Sequence, residues 1–192
     1  MNLVDRAKNI LLQPKQEWVV IEAETTDTKT LYTSYAMILA AIPAVAGFVG
    51  MSIIGYGSMF GVSFRVPIAQ GIAGMVVGYA MALGGVYVLA LIIDALAPNF
   101  GGTKNMNQAL KLAIYSATAS WLAGIFSLVP GLSILGILGL YSLYLLFTGL
   151  PLLMKSPEDK SMTYTIVIII CAIVIGVVMA AISASMIGGR HF

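Results

Sequence analysis

Charge is what this sequence lacks most. Only 9% of its 192 residues are charged, ten of them basic and eight acidic. A soluble domain carries about 25%. With 59% of its residues hydrophobic, a water-soluble fold of this length could not hide its apolar surface. The chain therefore reads as a membrane protein. A net charge of +2, without a long basic patch, excludes nucleic acid as a partner. Cysteine is almost missing too. Cys171 stands alone in "IIICAIVIG", which excludes an intramolecular disulfide and makes it a small packing residue. The single histidine, His191, has no second ligand beside it for a metal and reads as a solvated tail. No paired carboxylates lie within the apolar runs, so two-carboxylate acid–base chemistry has no support. "GGTK" at 101–104 lacks the spacer and the Lys-Ser/Thr ending of a phosphate loop and reads as a turn. These absences predict no catalytic residues, no metal and no cofactor, and so a protein that is not an enzyme.

What the sequence has in abundance is long apolar runs. Residues 30–64, 66–93, 112–154 and 161–189 carry no charge. A crossing of about 30 Å of hydrocarbon needs about 20 residues. The third run is too long for one crossing, and Pro130-Gly131 divides it. Five spans follow, at about 31–54, 68–96, 108–129, 133–154 and 162–187. The runs are continuously apolar rather than alternating, which excludes barrel strands. The predicted fold is all-α: a five-span transmembrane bundle over 31–192, preceded by a cytoplasmic N-terminal interfacial segment over 1–30. In that segment Leu3, Val4, Ala7, Ile10 and Leu11 recur at helical spacing while Asp5, Arg6, Lys8 and Asn9 face away. This predicts a short amphipathic helix, either lying on the membrane interface or packed on the bundle's own loops. Trp18, in a second piece begun by Pro14, is placed at headgroup level. Five acidic residues in the first 30 exclude a secretory signal.

Lys and Arg fix the expected orientation. Arg6, Lys8, Lys15, Lys29, Lys104, Lys111, Lys155 and Lys160 fall in or beside the N-terminal segment and the second and fourth loops; Arg65 and Arg190 fall on the other side. The N-terminus is expected in the cytoplasm and the C-terminus in the periplasm or outside, across a bacterial inner membrane. Inside lipid, helices associate through close contact of small residues. Gly71, Gly74, Gly78 and Gly85 in the second span, and Gly176, Ala180 and Ala184 in the fifth, form such ladders. They predict tight packing and leave open a homo-oligomer or a membrane-protein partner, besides the lipid bilayer itself.

One polar site stands out. Asp94 closes an apolar run and is followed by "ALAPNFGGTKNMNQALK". Pro98 and the glycines make a turn there, and Asn105 or Asn107 caps the next helix. Asp94 is expected to bond the linker amides, Lys104 or Lys111, because a carboxylate near hydrocarbon is costly unless paired. Tyr141 and Tyr144, with Tyr79 and Tyr115, offer further hydroxyls in or near the membrane.

Several stretches carry a family resemblance. "PKQEWVVIEAE" (14–24), "IDALAPNFGGTKNMNQALKLAIYS" (93–116), "YSATASWLAGIFSLVPGL" (115–132) and "LYSLYLLFTGLPLLMKSPEDKSMTYT" (140–165) closely resemble the bacterial branch of the Yip family, the Ypt/Rab-interacting membrane proteins. The resemblance implies five spans and a cytoplasmic N-terminus. Eukaryotic members are associated with Rab-type GTPases and Golgi traffic. The Asp-Leu-Tyr-Gly-Pro motif of those members is missing here, so the GTPase role is not carried over. The expected function is a non-enzymatic membrane protein that binds partners, lipids or copies of itself. The alternative is a small-solute, ion or lipid transporter with a polar site near Asp94.

Overall fold

The structure is a computed structural model that describes residues 2–57 and 63–188; the side chains of 56, 57, 63, 64, 130 and 183–188 are outside that description. Two short helices come first, α1 (Leu3–Leu12) and α2 (Pro14–Ala23). Asn2 caps α1 by accepting the Asp5 amide at 2.8 Å, and Pro14 supplies the preformed first turn of α2. Five helical segments long and apolar enough to cross a membrane follow: Thr28–Ile54, Ile68–Phe100, Met106–Leu128, Gly131–Leu153 and Glu158–Ile182. The all-α bundle of five membrane spans read from the sequence is the fold observed.

The spans are not uniform. The first begins as α3 (Thr28–Leu31), widens into π turns at Tyr32–Ala36, continues as α4 (Met37–Phe48) and widens again at Val49–Ile54. A two-residue antiparallel pair, Tyr56 against Phe64, brackets the loop to the second span. The second span is built on the 29-residue α5 (Ile68–Leu96). Pro98 does not break it at once: Ala97–Phe100 tighten into a 3₁₀ turn, and Gly101, at φ 73°, ends it in the left-handed region. The third span is α6 (Met106–Ser116), α7 (Thr118–Ala123) and a 3₁₀ turn to Leu128. Asn105, not Asn107, is its cap, accepting the Gln108 amide at 3.2 Å. In the fourth, Pro130–Leu140 is 3₁₀ where α-helix was expected. Gly131, Gly136 and Gly139 lower the α preference there. It then becomes α8 (Tyr141–Leu153), and the fifth is α9 (Glu158–Gly188).

The third span is the axis of the bundle. Of its most apolar window 67% is buried, against 11–28% for the other four. That difference explains why it has the lowest hydropathy of the five, 1.3: it meets protein, and the others meet lipid. On the outer helices Ile134, Ile137, Ile170, Ile173 and Val177 are more than half exposed. A soluble protein could not carry such a perimeter. One core runs through the molecule and includes the N-terminal hairpin, with Ile10, Trp18 and Ile21 buried together with Leu110, Ile114, Leu145 and Leu150.

Small residues make the closest contacts at crossings. A Cβ on Gly124 would lie 2.4 Å from Pro43 Cβ, and one on Gly149 would lie 2.5 Å from Trp18 Cε2. Gly71 is tight as expected, its Cβ position 2.1 Å from Ser52 Oγ. Three other glycines of the expected ladder are not. Gly78 and Gly176 have no atom within 4 Å of a Cβ, and Gly85 meets only Met179 Cε at 3.9 Å. With Ala180 they line an open groove of about 430 Å³ between α5 and α9. Gly74 lines a second groove, of about 550 Å³, between α4 and α5. Met81, Leu89 and Met179 share the first groove, and their bulk keeps the two helices from closing. The side chain of Ala184 and all of His191 lie outside the described residues.

Candidate functional site

One end of the bundle collects the polar chemistry. The turn after α2, the 97–105 linker and the 154–157 loop meet there: the Thr103 amide bonds the Met154 carbonyl at 2.8 Å, and Lys155 pairs with Glu22 at 3.2 Å. All eight carboxylates of the chain belong to this end.

The cluster is built on the C-terminal end of α2, where helix carbonyls lack amide partners and the dipole is negative. One face of α6 supplies the donors. Asn107 Nδ2 bonds the Thr26 carbonyl at 2.7 Å, Gln108 Nε2 the Glu22 carbonyl at 2.9 Å, and Lys111 Nζ the Ile21 carbonyl at 2.9 Å and the Glu24 carbonyl. Lys111 is 1% exposed. Its ammonium is held by carbonyl oxygens at a helix end rather than by a carboxylate, and among the described residues it makes no ion pair.

Arg6 sits beside it. Its guanidinium donates to Glu17 Oε1 at 2.5 Å and to Glu24 Oε1, and it lies over the Tyr115 ring at 5.5 Å. Tyr115 meets Tyr35 edge-on at 4.7 Å and Trp18 at 6.5 Å. Tyr35 and Thr118 share a hydroxyl bond of 2.8 Å. Arg6 and Glu17 are each 5% exposed. Arg6 thus pairs with two carboxylates where the hairpin meets the third span, and Lys111 is held beside it by carbonyls. Thr148, on α8, completes the lock by accepting the Trp18 indole hydrogen at 3.2 Å. A polar pocket of about 550 Å³ lies alongside, lined by Arg6, Glu24, Ser34, Tyr35 and Tyr115.

Several expectations are corrected. Arg6 does not face away from the apolar side of α1; it is buried with Ala7 and Ile10, because two carboxylates and an aromatic ring wait there. Trp18 is not open to the headgroups; it is fully buried in the protein, because Gly149 opens a slot for its ring. Asp94, Lys104 and Lys111 are not brought together. Lys111 is consumed by α2, and Lys104 is exposed. Asp94 Oδ1 is buried without a hydrogen-bond partner. Its neighbour Tyr164 gives its hydroxyl to the Ile93 carbonyl instead. Tyr141 serves α1, bonding the Leu11 carbonyl at 3.0 Å, and its ring tilts against Tyr144 at 5.3 Å. Sequence reading missed Arg6, Glu17, Glu24 and Thr148 as a set. The available signal was the i, i+1, i+4 spacing of Arg6, Ala7 and Ile10, which puts the arginine on an apolar face.

Among the described residues no group of three or more His, Cys, Asp or Glu is placed to hold a metal ion. No solved structure matches the chain. The inner membrane protein YohC of Escherichia coli strain K12 is 27% identical over 156 residues, 79% of this chain and 80% of that protein. The YohC of a second Escherichia coli strain matches equally. The Yip1 domain matches residues 8–182, nearly the whole chain, with all five spans and every cluster residue but Arg6, and the protein therefore belongs to the Yip1 domain family.

Proposed function

We propose that this protein is a non-enzymatic component of a bacterial inner membrane, with its charged end in the cytoplasm, that acts by binding lipids, partner proteins or copies of itself. The observation that carries this reading is the neutralised cluster. Arg6, Glu17, Glu24 and Lys111 are engaged with one another or with α2 carbonyls. Their geometry fixes a hairpin to the bundle and holds no activated nucleophile. What is left for function is the surface of that end and the apolar perimeter. The inner-membrane placement is supported by the name of the relative YohC.

One observation favours a second reading, a transporter: the unpartnered Asp94 Oδ1. A polar atom kept buried without a partner can mark a site that a solute completes. The two readings separate in proteoliposomes carrying the purified protein, with sodium, potassium and proton fluxes followed by ion-sensitive dyes. The binding protein shows no flux above empty liposomes, in the parent and in Asp94→Asn alike. A specific flux that disappears in Asp94→Asn establishes the transporter in its place.

A further inference from the structure

A crevice of about 690 Å³ opens between α8 and the first turn of α9 at the charged end. Its floor is apolar, formed by Phe147, Pro151 and Leu152; its mouth carries Lys15 and Glu158. Both of these charged residues are exposed. Neither enters an ion pair among the described residues. Unlike charges sharing one mouth while remaining apart are complementary to a zwitterion. The floor adds a second acceptor. Pro151 lies inside α8 and has no amide hydrogen, so the Phe147 carbonyl, four residues earlier, loses its helical donor. The Ser156 and Ser161 hydroxyls beside it are bonded to each other at 2.9 Å and do not compete. The crevice thus offers one cation and two acceptors over an apolar floor. The mouth lies where the fourth span ends, at Leu153, and Tyr144, three residues before Phe147 on the same face of α8, is 42% exposed further along that span.

We infer that this crevice binds phosphatidylethanolamine. The lipid phosphate meets Lys15. The ammonium gives its hydrogens to Glu158 and the Phe147 carbonyl, and an acyl chain follows α8 past Tyr144. Phosphatidylcholine offers no N–H to either acceptor, and phosphatidylglycerol offers no cation to Glu158. The inference rests on the reading of the protein as a binding protein and names one of its ligands.

The test is native mass spectrometry of the full chain released from nanodiscs of equal parts phosphatidylethanolamine, phosphatidylcholine and phosphatidylglycerol. Phosphatidylethanolamine is expected to be retained about threefold to tenfold over each of the others, the effect of one or two interfacial charge contacts. Glu158→Gln should lower it toward the level of phosphatidylcholine, the Phe147 carbonyl remaining. Lys15→Gln should lower retention of all three, and Arg65→Gln, at the opposite end, should change nothing. Equal retention of the three lipids by the parent overturns the inference, as does an unchanged preference in Glu158→Gln. A flat lipid profile without ion flux sinks only the lipid assignment. Specific flux with the lipid preference intact sinks the broader reading and leaves the crevice standing.

Discussion

At the scale of single residues, the difference between Arg6 and Lys111 is instructive. Both are buried cations, but they are compensated differently. Arg6 holds two carboxylates; Lys111 holds two carbonyls. Removing Arg6 strands Glu17, 5% exposed, as an unpaired buried charge. Arg6→Met is therefore expected to cost about 3–5 kcal/mol. Lys111→Met strands only neutral carbonyls at a helix end, and its cost is expected to be smaller, about 1–3 kcal/mol. Unfolding in detergent, followed by helical circular dichroism, checks the order. Equal losses, or a larger loss for Lys111→Met, would mean that the carboxylates find other donors. Glu24 is the more forgiving partner because its side chain is 34% exposed.

Among the elements, the crossing of the first and third spans is the tightest contact between two spans. Pro43 sits inside α4 and presses its ring on Gly124. The hydroxyl of Tyr79 bonds the Met37 carbonyl, and that of Tyr32 bonds the Leu83 carbonyl, each at 3.0 Å. The first span is thus clasped from two sides. Gly124→Ala is expected to destabilise the bundle by about 1–3 kcal/mol through overpacking. Adding Pro43→Gly should recover part of that loss, since it removes the opposing Cβ. A double variant no more stable than Gly124→Ala alone would show that the crowding comes from elsewhere. Spans of this kind were legible in the sequence because long apolar runs and a Pro-Gly break are local signals. The partner of each glycine was not. Gly124 and Gly149 pack, while Gly78 and Gly176 face open grooves, and the difference depends on which bulky residue of another helix arrives opposite. The cluster was hidden for the same reason: Arg6 reads as a surface residue until Glu17, Glu24 and Tyr115 are placed around it.

For the whole molecule, the arrangement of loops carries the orientation. The N-terminal hairpin and the second and fourth loops share one end, and with them eight of the ten cations. In the orientation proposed above, which rests on the positive-inside bias, that end faces the cytoplasm. In a Cys171→Ser background, cysteines at Gly102 or Glu158 should react with an impermeant maleimide only in inverted vesicles, and one at Gly57 only in intact spheroplasts. Labelling of Gly57 and Gly102 from the same face would break the five-span topology. The locked hairpin also sets an order of assembly. The indole of Trp18 waits for a hydroxyl 130 residues later, and the carbonyl of Ile21 for an ammonium 90 residues later. The hairpin precedes every span in the chain, yet it cannot take its final seat until the fourth has been threaded.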